Sequence, residues 1–460
     1  MFSLHPKLID FDLSRLKFLM DKFDNPQNNL NNVIHIAGTN GKGSTATFLK
    51  EILEAHNLSV NIYTSPHLIN FNERIRINKN LISDENLINI LEAVELKNNH
   101  NPITFFEITT AAAFIAFKQY PSDINIFETG LGGRLDATNI IENKKLTIIT
   151  KIGFDHEEFL GKKIEKIAKE KAGILRKNIP VIIAKQSKDQ ALKTLVNIAK
   201  ELNSKIIQID KISKDTKLGL VGDFQYENAS TAFTAAKFLI PSISLPKVKQ
   251  GLARTSWSGR IQKLNDGKIF NLRKNITVID GSHNLDGAIV LNQYLKKQSL
   301  GKWNLIIGML NNREVKDFVN IFKNHINQIY AIAIPEQKNS LSALDIKNKL
   351  DELGFNTNTS NSLEDALKMA DRGEINGRRE PKGPYAQAAS DGDIDEADGR
   401  AEYQAGSVRS RRIDLERGRR CTAVYRAALR KVQRRVTRPR LSGALSEECL
   451  HSADVLEGDL

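Results

Sequence analysis

The chain has 460 residues, 40% of them apolar and 26% charged, with a formal net charge of +13. That length allows two or three domains, and that composition excludes collagen-like, disordered and membrane-embedded classes. The basic residues change in kind along the chain: residues 1–371 hold 40 Lys and 9 Arg, whereas residues 372–460 hold 2 Lys and 16 Arg.

The N-terminal stretch MFSLHPKLIDFDLSRL has no basic region followed by an uninterrupted apolar run, and no later run approaches a membrane span. A cytoplasmic protein without a membrane partner is expected. Cys421 and Cys449 are the only cysteines, so the first 371 residues hold no disulfide or cysteine zinc site, which suits a reducing compartment. The modest positive field suits small anionic ligands, with a solvated Lys-rich surface as the alternative.

Short apolar runs alternate with helical patterns: VIHIA at 33–37, INIF at 124–127, LTIIT at 146–150 and PVIIA at 180–184. This rhythm predicts a doubly wound, mostly parallel α/β sheet, whose ligands collect at the carboxyl ends of the strands.

VIHIA runs into GTNGKGS and then into the helical stretch TATFLKEILEAH. Strand, glycine loop, lysine and helix in that order predict a phosphate loop for ATP. Gly38, Gly41 and Gly43 let the backbone approach phosphate oxygens, with Thr39 and Asn40 between them. Lys42 reaches a terminal phosphate, and Ser44 would hold magnesium. The spacing departs from the strict G-x4-GK-[ST] pattern, because Gly43 separates Lys42 from Ser44; a plain structural turn is the alternative.

Glu128 closes INIFE and His156 follows LTIITKIGFD. If both strands flank the phosphate-loop strand, a carboxylate and an imidazole converge beside the nucleotide, a donor set suited to magnesium or manganese. Alone, His156 would read as a loop histidine. In GKKIEKIAKEKAGIL the residues Ile164, Ile167, Ala168 and Lys171 share one helical stripe. Desolvation there favours a neutral, nucleophilic amine that could add carbon dioxide; a lysine snorkelling to water at the helix end is the alternative.

Residues 257–265, around Gly259, have little periodicity and read as a linker. A second α/β set follows, with ITVID ending at Asp280 and continuing GSHN, NLIIGM at 304–309 and IYAIAIP at 329–335. Asp280 and His283 are candidate ligand contacts; capping of the next helix is the alternative for the aspartate. From residue 372 Gly, Arg, Asp and Ala dominate and no strand is predicted, although a basic helix could run through Tyr425, Leu429, Val432 and Val436.

Taken together, HIAGTNGKGS, TSPHL, FNERIRI, TFFEITTAAAF, ETGLGGRLDATN, FDHEEFLG, EKAGI, WSGR, DGSHN and GM resemble the folylpolyglutamate synthase and dihydrofolate synthase branch of the Mur ligase superfamily. The resemblance spans about residues 1 to 370. It implies an ATP- and Mg2+-dependent ligase that phosphorylates the carboxylate of a pteroate or folyl substrate, after which the amino group of L-glutamate attacks the acyl phosphate. It also implies a monomer that takes small-molecule substrates and no nucleic acid.

By this resemblance Ser65 joins Glu128 and His156 as a magnesium ligand, and Lys171 is the carbamylated lysine. Asn228, Arg260 and Asp280 contact the nucleotide, with Arg260 and Asp280 spanning two domains. Thr104, Phe106 and Asp136, with Arg134 and Ala137, receive the pterin substrate.

The expected organisation is a nucleotide-binding domain over residues 1–260, a smaller, incomplete Rossmann-like α/β domain over 261–371, and an unrelated Arg-rich, disordered tail over 372–460. An Arg-rich nucleic-acid-binding appendage is the alternative for the tail. Three other readings are weighed: a nucleotide-binding but inactive remnant, a ligase acting on cell-wall nucleotide precursors, and a regulatory GTPase. The last is disfavoured because no N-K-x-D motif occurs.

Overall fold

β-branched residues dominate the apolar runs, and these runs become strands buried on both faces. In the computed structural model, which describes residues 11–272, 276–298, 301–335 and 337–372, the strands of the first unit are β1 (Val33–Ala37), β2 (Val60–Tyr63), β3 (Ile75–Ile77), β4 (Asn80–Leu81), β5 (Ile124–Glu128), β6 (Leu146–Ile149), β7 (Val181–Ile183) and β8 (Ile206–Ile207). They form one sheet in the order β4-β3-β2-β5-β1-β6-β7-β8. The sheet is parallel except at β3 and β4, which extend one edge antiparallel.

VIHIA is β1 in full, and it lies between β5 and β6 with Ile36 opposite Glu128 and Ala37 opposite Ile149. The flanking arrangement expected of the strands that end at Glu128 and before His156 is therefore present. Alternation divides β1 between two layers. Ile34 and Ile36 pack with Phe48, Leu49 and Ile52 of the helix Lys42–Ala55 and with Ala232 and Ala236 of the helix Gln225–Leu239. Val33 packs on the opposite side with Phe114 and Phe117 of the helix Phe105–Gln119.

The second unit comprises β9 (Gln262–Lys263), β10 (Val278–Ile279), β11 (Trp303–Ile307), β12 (Ile326–Ile332) and β13 (Thr357–Ser360). β11, β12 and β13 form a parallel sheet covered by the helices Leu285–Lys297 and Ala343–Asp351. Two expectations change. ITVID does not join this sheet: β10 pairs antiparallel with β9, because Asp280 at its end accepts from the Ile261 amide at 2.8 Å and draws it against the incoming chain. The stretch 257–265 consequently holds a strand and is not wholly a linker. The readings of residues 372–460 as a separate tail and of a helix through Tyr425 to Val436 lie outside the described residues, Arg372 apart. Among the described residues no helix is long and apolar enough to cross a membrane.

Candidate active site

After β1 the chain turns through Gly38, Thr39, Asn40 and Gly41 into the helix Lys42–Ala55. Gly41 is the N-cap, at φ +89°, and a Cβ there would stand 2.5 Å from Asn228 Oδ1. The left-handed backbone and the close approach both demand glycine. No side chain caps this helix, so its first-turn amides and positive dipole end face the loop, as phosphate binding requires. The loop is held from β6: the amides of Thr39 and Asn40 donate to Lys151 O at 2.9 and 3.2 Å, and Thr39 Oγ1 donates to Gly153 O at 3.1 Å.

Lys42 folds back over the loop, donating to Gly38 O at 3.1 Å and lying 3.9 Å from Glu128 Oε1. Ser44 is buried, and its Oγ accepts from Gln225 Nε2 at 3.5 Å; Gln225 Oε1 accepts in turn from Asn228 Nδ2 at 2.9 Å. The helix Gln225–Leu239 thus clasps the loop through two amides. Gln225 was not anticipated; its signal was a polar residue three positions before Asn228, on the same helical face. Trp257 closes the other side, its ring 3.1 Å from where a Cβ on Gly43 would stand.

Glu128 is 4% exposed and accepts from the Ser65 amide at 3.4 Å. Burial raises its pKa, while Lys42, the Ser65 amide and Arg260 pull it back. One distant ammonium and one long hydrogen bond leave this buried carboxylate short of positive charge. A divalent cation would supply it, and one carboxylate, hydroxyl oxygens and substrate phosphates are the donors magnesium favours. The chemistry of these residues fits the metal. Ser65 follows β2 directly and precedes a cis peptide bond to Pro66.

His156 takes a left-handed φ of +52° at the start of a short helix. Burial lowers its pKa to about 4 against the opposing pull of Asp155, so the imidazole is neutral and able to ligate at pH 7. The charged groups acting on it are Asp155, Arg313, His283 and Glu158, whereas Lys42, Arg260 and Arg74 act on Glu128. Among the described residues no three His, Cys, Asp or Glu are grouped to hold a metal.

Lys171, in the last turn of the helix Ile164–Ala172, is 4% exposed. Its Nζ donates to Gly38 O at 3.0 Å. Burial, with Lys42 second, lowers its pKa to about 7 against Asp155 and Asp136. The amine turns inward to the phosphate loop, which sets the snorkelling alternative aside and leaves much of it neutral at pH 7.

On the far side of β5, Thr104 caps the helix Phe105–Gln119 in a reciprocal box with Glu107: the Thr104 amide donates to Glu107 Oε2 at 2.7 Å and the Glu107 amide to Thr104 Oγ1 at 3.2 Å. The Phe106 ring lies directly over Gly130. Asp136 is buried and organises the loop after β5: Oδ2 accepts from the Leu131 amide at 2.8 Å, and Oδ1 accepts from the Thr138 amide at 3.0 Å and from the Thr138 hydroxyl. Burial raises its pKa, opposed by these bonds. Phe106, Asp136 and the buried Ala137 therefore share one loop. Two of the expected substrate contacts have other partners: the Thr104 hydroxyl is taken up in the helix cap, and Arg134 pairs with Glu170 at 3.1 Å with half its side chain in solvent.

The second unit meets the loop at its tip. Asp280 does not cap the next helix; it binds the amides of Ile261 and Ser282 at 2.8 and 2.9 Å, and Asn284 is the cap, accepting from the Gly287 amide at 2.9 Å. The same Asn284 exchanges amide hydrogen bonds with Asn40 at 3.2 and 3.3 Å. Asp155 accepts from Asn284 Nδ2 at 3.0 Å, lies 3.4 Å from His283 Nε2 and pairs with Arg313. Burial works against its ionisation, yet His283, His156 and Arg313 hold its pKa far below the usual carboxylate range. Asp155, Asn284 and Arg313 were not foreseen as a group, although FDHEEFLG, DGSHN and LNNREVKDF had each drawn attention.

A second α/β unit held over a phosphate loop is the layout of a Mur-type ligase, and residues 36–238 match the family model described as Mur ligase middle domain. The chain is 35% identical over 321 residues to the dihydrofolate synthase/folylpolyglutamate synthase of Bacillus subtilis, covering 62% of this chain and 72% of that protein. It is 31% identical over 358 residues to the folylpolyglutamate synthase of Lacticaseibacillus casei, covering 70% and 81%. Among solved structures, E. coli FolC in complex with DHPP and ADP superposes with a TM-score of 0.72 at 27% identity, covering 80% of this chain and 89% of that one. The bifunctional synthase of Yersinia pestis complexed with AMPPNP and Mn ion gives a TM-score of 0.70 at 28% identity, covering 80% and 89%. The chain belongs to the folylpolyglutamate synthase and dihydrofolate synthase family, whose members are ATP-dependent ligases.

Proposed function

We propose that the chain joins L-glutamate to dihydropteroate, to a reduced folate, or to both, releasing ADP and phosphate, and that it does so as a cytoplasmic monomer. The observation that carries this reading is the convergence on Gly38: its carbonyl accepts from both Lys42 and Lys171, beside the under-compensated Glu128.

In this reading residues 1–260 bind nucleotide and the pterin substrate, and residues 261–371 close over them. The amides of residues 38–44 and the Lys42 ammonium hold the terminal phosphates. Ser44, Ser65, Glu128 and His156 hold magnesium, which neutralises charge growing on the transferred phosphoryl group. Asn228, Arg260 and Asp280 position the nucleoside, and His283 faces the phosphates from the second unit. The Lys171 amine carries a carbamate as a further anionic ligand. Phe106 offers an aromatic face to the pterin, and Asp136 and Ala137 meet its edge, with Thr104 and Arg134 shaping the rim. Phosphorylation turns an oxide leaving group into phosphate, and glutamate nitrogen then displaces it.

The pairing of Asn284 with Asn40 weighs against an inactive remnant whose cleft stays open. The test is ADP release with each substrate omitted in turn. Turnover that requires both glutamate and a pteroate or folate supports the reading, and turnover indifferent to them overturns it.

A further inference from the structure

His35 is a polar residue in the centre of an otherwise apolar strand, and it is 0% exposed. Strand alternation turns it away from Ile34 and Ile36, toward the turn Ala137–Ile140. Its Nε2 lies 2.8 Å from Thr138 Oγ1, and Thr138 Oγ1 donates to Asp136 Oδ1.

The direction of both bonds follows from the carboxylate. Asp136 already accepts from the amides of Leu131, Thr138 and Gly130, so toward the hydroxyl it is again an acceptor. The single Thr138 proton is thereby committed, and Thr138 Oγ1 can only accept from the imidazole. Nε2 therefore carries the ring proton and Nδ1 is bare. Nδ1 is buried with no hydrogen-bond partner among the described residues, a position that tolerates a lone pair better than an N–H. The neighbouring cations are themselves engaged: Lys144 donates to Asn139 Oδ1 and to Ile174 O at 2.8 Å each, and Arg176 pairs with Glu142 at 2.7 Å. Burial and these cations keep the ring neutral.

We propose that His35 is a positioning residue for the ring-bearing substrate: through Thr138 it fixes the Asp136 carboxylate, and it ties the substrate loop to the strand that carries the phosphate loop. The inference rests on the reading above in which Asp136 meets the pterin. A carboxylate held as a pure acceptor selects a ring edge with adjacent N–H donors and leaves a ring lacking them with an unpaired buried charge.

The experiment compares KM for dihydropteroate and for ATP across Thr138→Val, Thr138→Ser, His35→Phe, His35→Gln and Asp136→Asn. Thr138→Val and His35→Phe are expected to raise KM for dihydropteroate about tenfold or more, with KM for ATP within about twofold. Thr138→Ser and His35→Gln, which keep a hydroxyl and an N–H at the same reach, restore most of the loss. Equal rises in both KM values, or no rescue by the conservative pair, overturn the proposal. If Asp136→Asn leaves KM for dihydropteroate unchanged, the pterin reading itself fails; if it raises that KM while His35→Phe does not, only the role of His35 fails. Nitrogen-15 spectra of the unsubstituted protein give a readout independent of variant folding. A His35 ring with protonated Nε2, bare Nδ1 and no titration between pH 6 and 8 is expected, and a protonated Nδ1 overturns the relay.

Discussion

The ammonium of Lys171 and the carbonyl of Gly38, 133 positions apart in sequence, are joined by a 3.0 Å hydrogen bond. The end of one helix is thereby fastened to the first residue of the phosphate loop, with a depressed pKa as the consequence of its burial.

That depression has a definite sign in stability. The unfolded chain keeps Lys171 protonated up to its ordinary value of 10.5, whereas the folded chain begins to release the proton near 7. Folding is therefore penalised fully below about pH 7, and the penalty fades as pH rises toward 10.5. In bicarbonate-free buffer Lys171→Met should raise Tm at pH 7, and the gain should shrink steadily toward pH 10. Thermal melts across that range check it, and a gain that does not vary with pH contradicts the burial argument.

Removing the amine should also cost activity. Lys171→Ala is expected to lower kcat by about a hundredfold or more, with partial rescue by formate or acetate, whose carboxylate can replace a carbamate. Initial rates with and without added acid decide the matter, and full activity without rescue refutes a carbamate.

Glu128→Gln separates the carboxylate's electrostatic cost from its use. The neutral amide relieves an under-compensated buried charge, so the variant should melt no lower than the parent protein at pH 7. Magnesium and ATP together should raise Tm of the parent and not of the variant, and ligase turnover should fall by about a hundredfold or more. An undiminished magnesium-dependent shift would assign the metal elsewhere.

Gly41→Ala places a methyl group at φ +89° and 2.5 Å from Asn228 Oδ1. Strain of about 1–3 kcal/mol is expected from the backbone alone, together with a rise in KM for ATP. Adding Asn228→Ala removes the collision and leaves the strain, so the double variant should recover only part of the stability by chemical denaturation.

Arg313→Ala strips Asp155 of its shortest-range cation and leaves a buried carboxylate to His283 and Asn284. The two units should close less completely, with kcat/KM for glutamate lowered about tenfold and a larger radius of gyration by small-angle scattering. An unchanged radius and an unchanged rate would remove Arg313 from closure.

Much of this architecture was legible because strands buried on both faces are written as uninterrupted apolar runs: β1, β5, β6 and β7 stand where those runs stand. β2 was not, since Asn61 interrupts it. That residue is fully buried, its Nδ2 donating to Tyr120 O at 2.7 Å and its Oδ1 accepting from the Asn78 amide at 3.1 Å, a tertiary pairing no local pattern announces. Lys171 could be seen on an apolar stripe, but only the fold supplies Gly38 as its acceptor. The cluster of Asn40, Asp155, Asn284 and Arg313 was beyond reach for the same reason. It joins residues up to 158 positions apart, and each has a plausible local role of its own.

Asn284 caps the helix Leu285–Lys297 with the same oxygen that meets Asn40. If the cleft opens, the cap stays within the second unit, and the groups released, Asn40, Asp155, Lys151 and their partners Asn284, Arg313 and Asp286, are polar groups that water can satisfy at little net loss. The joint is thus built to be wetted. Successive rounds of glutamate addition can proceed by swinging a structurally finished unit away from the loop and back, without unfolding the helix that delivers the contact.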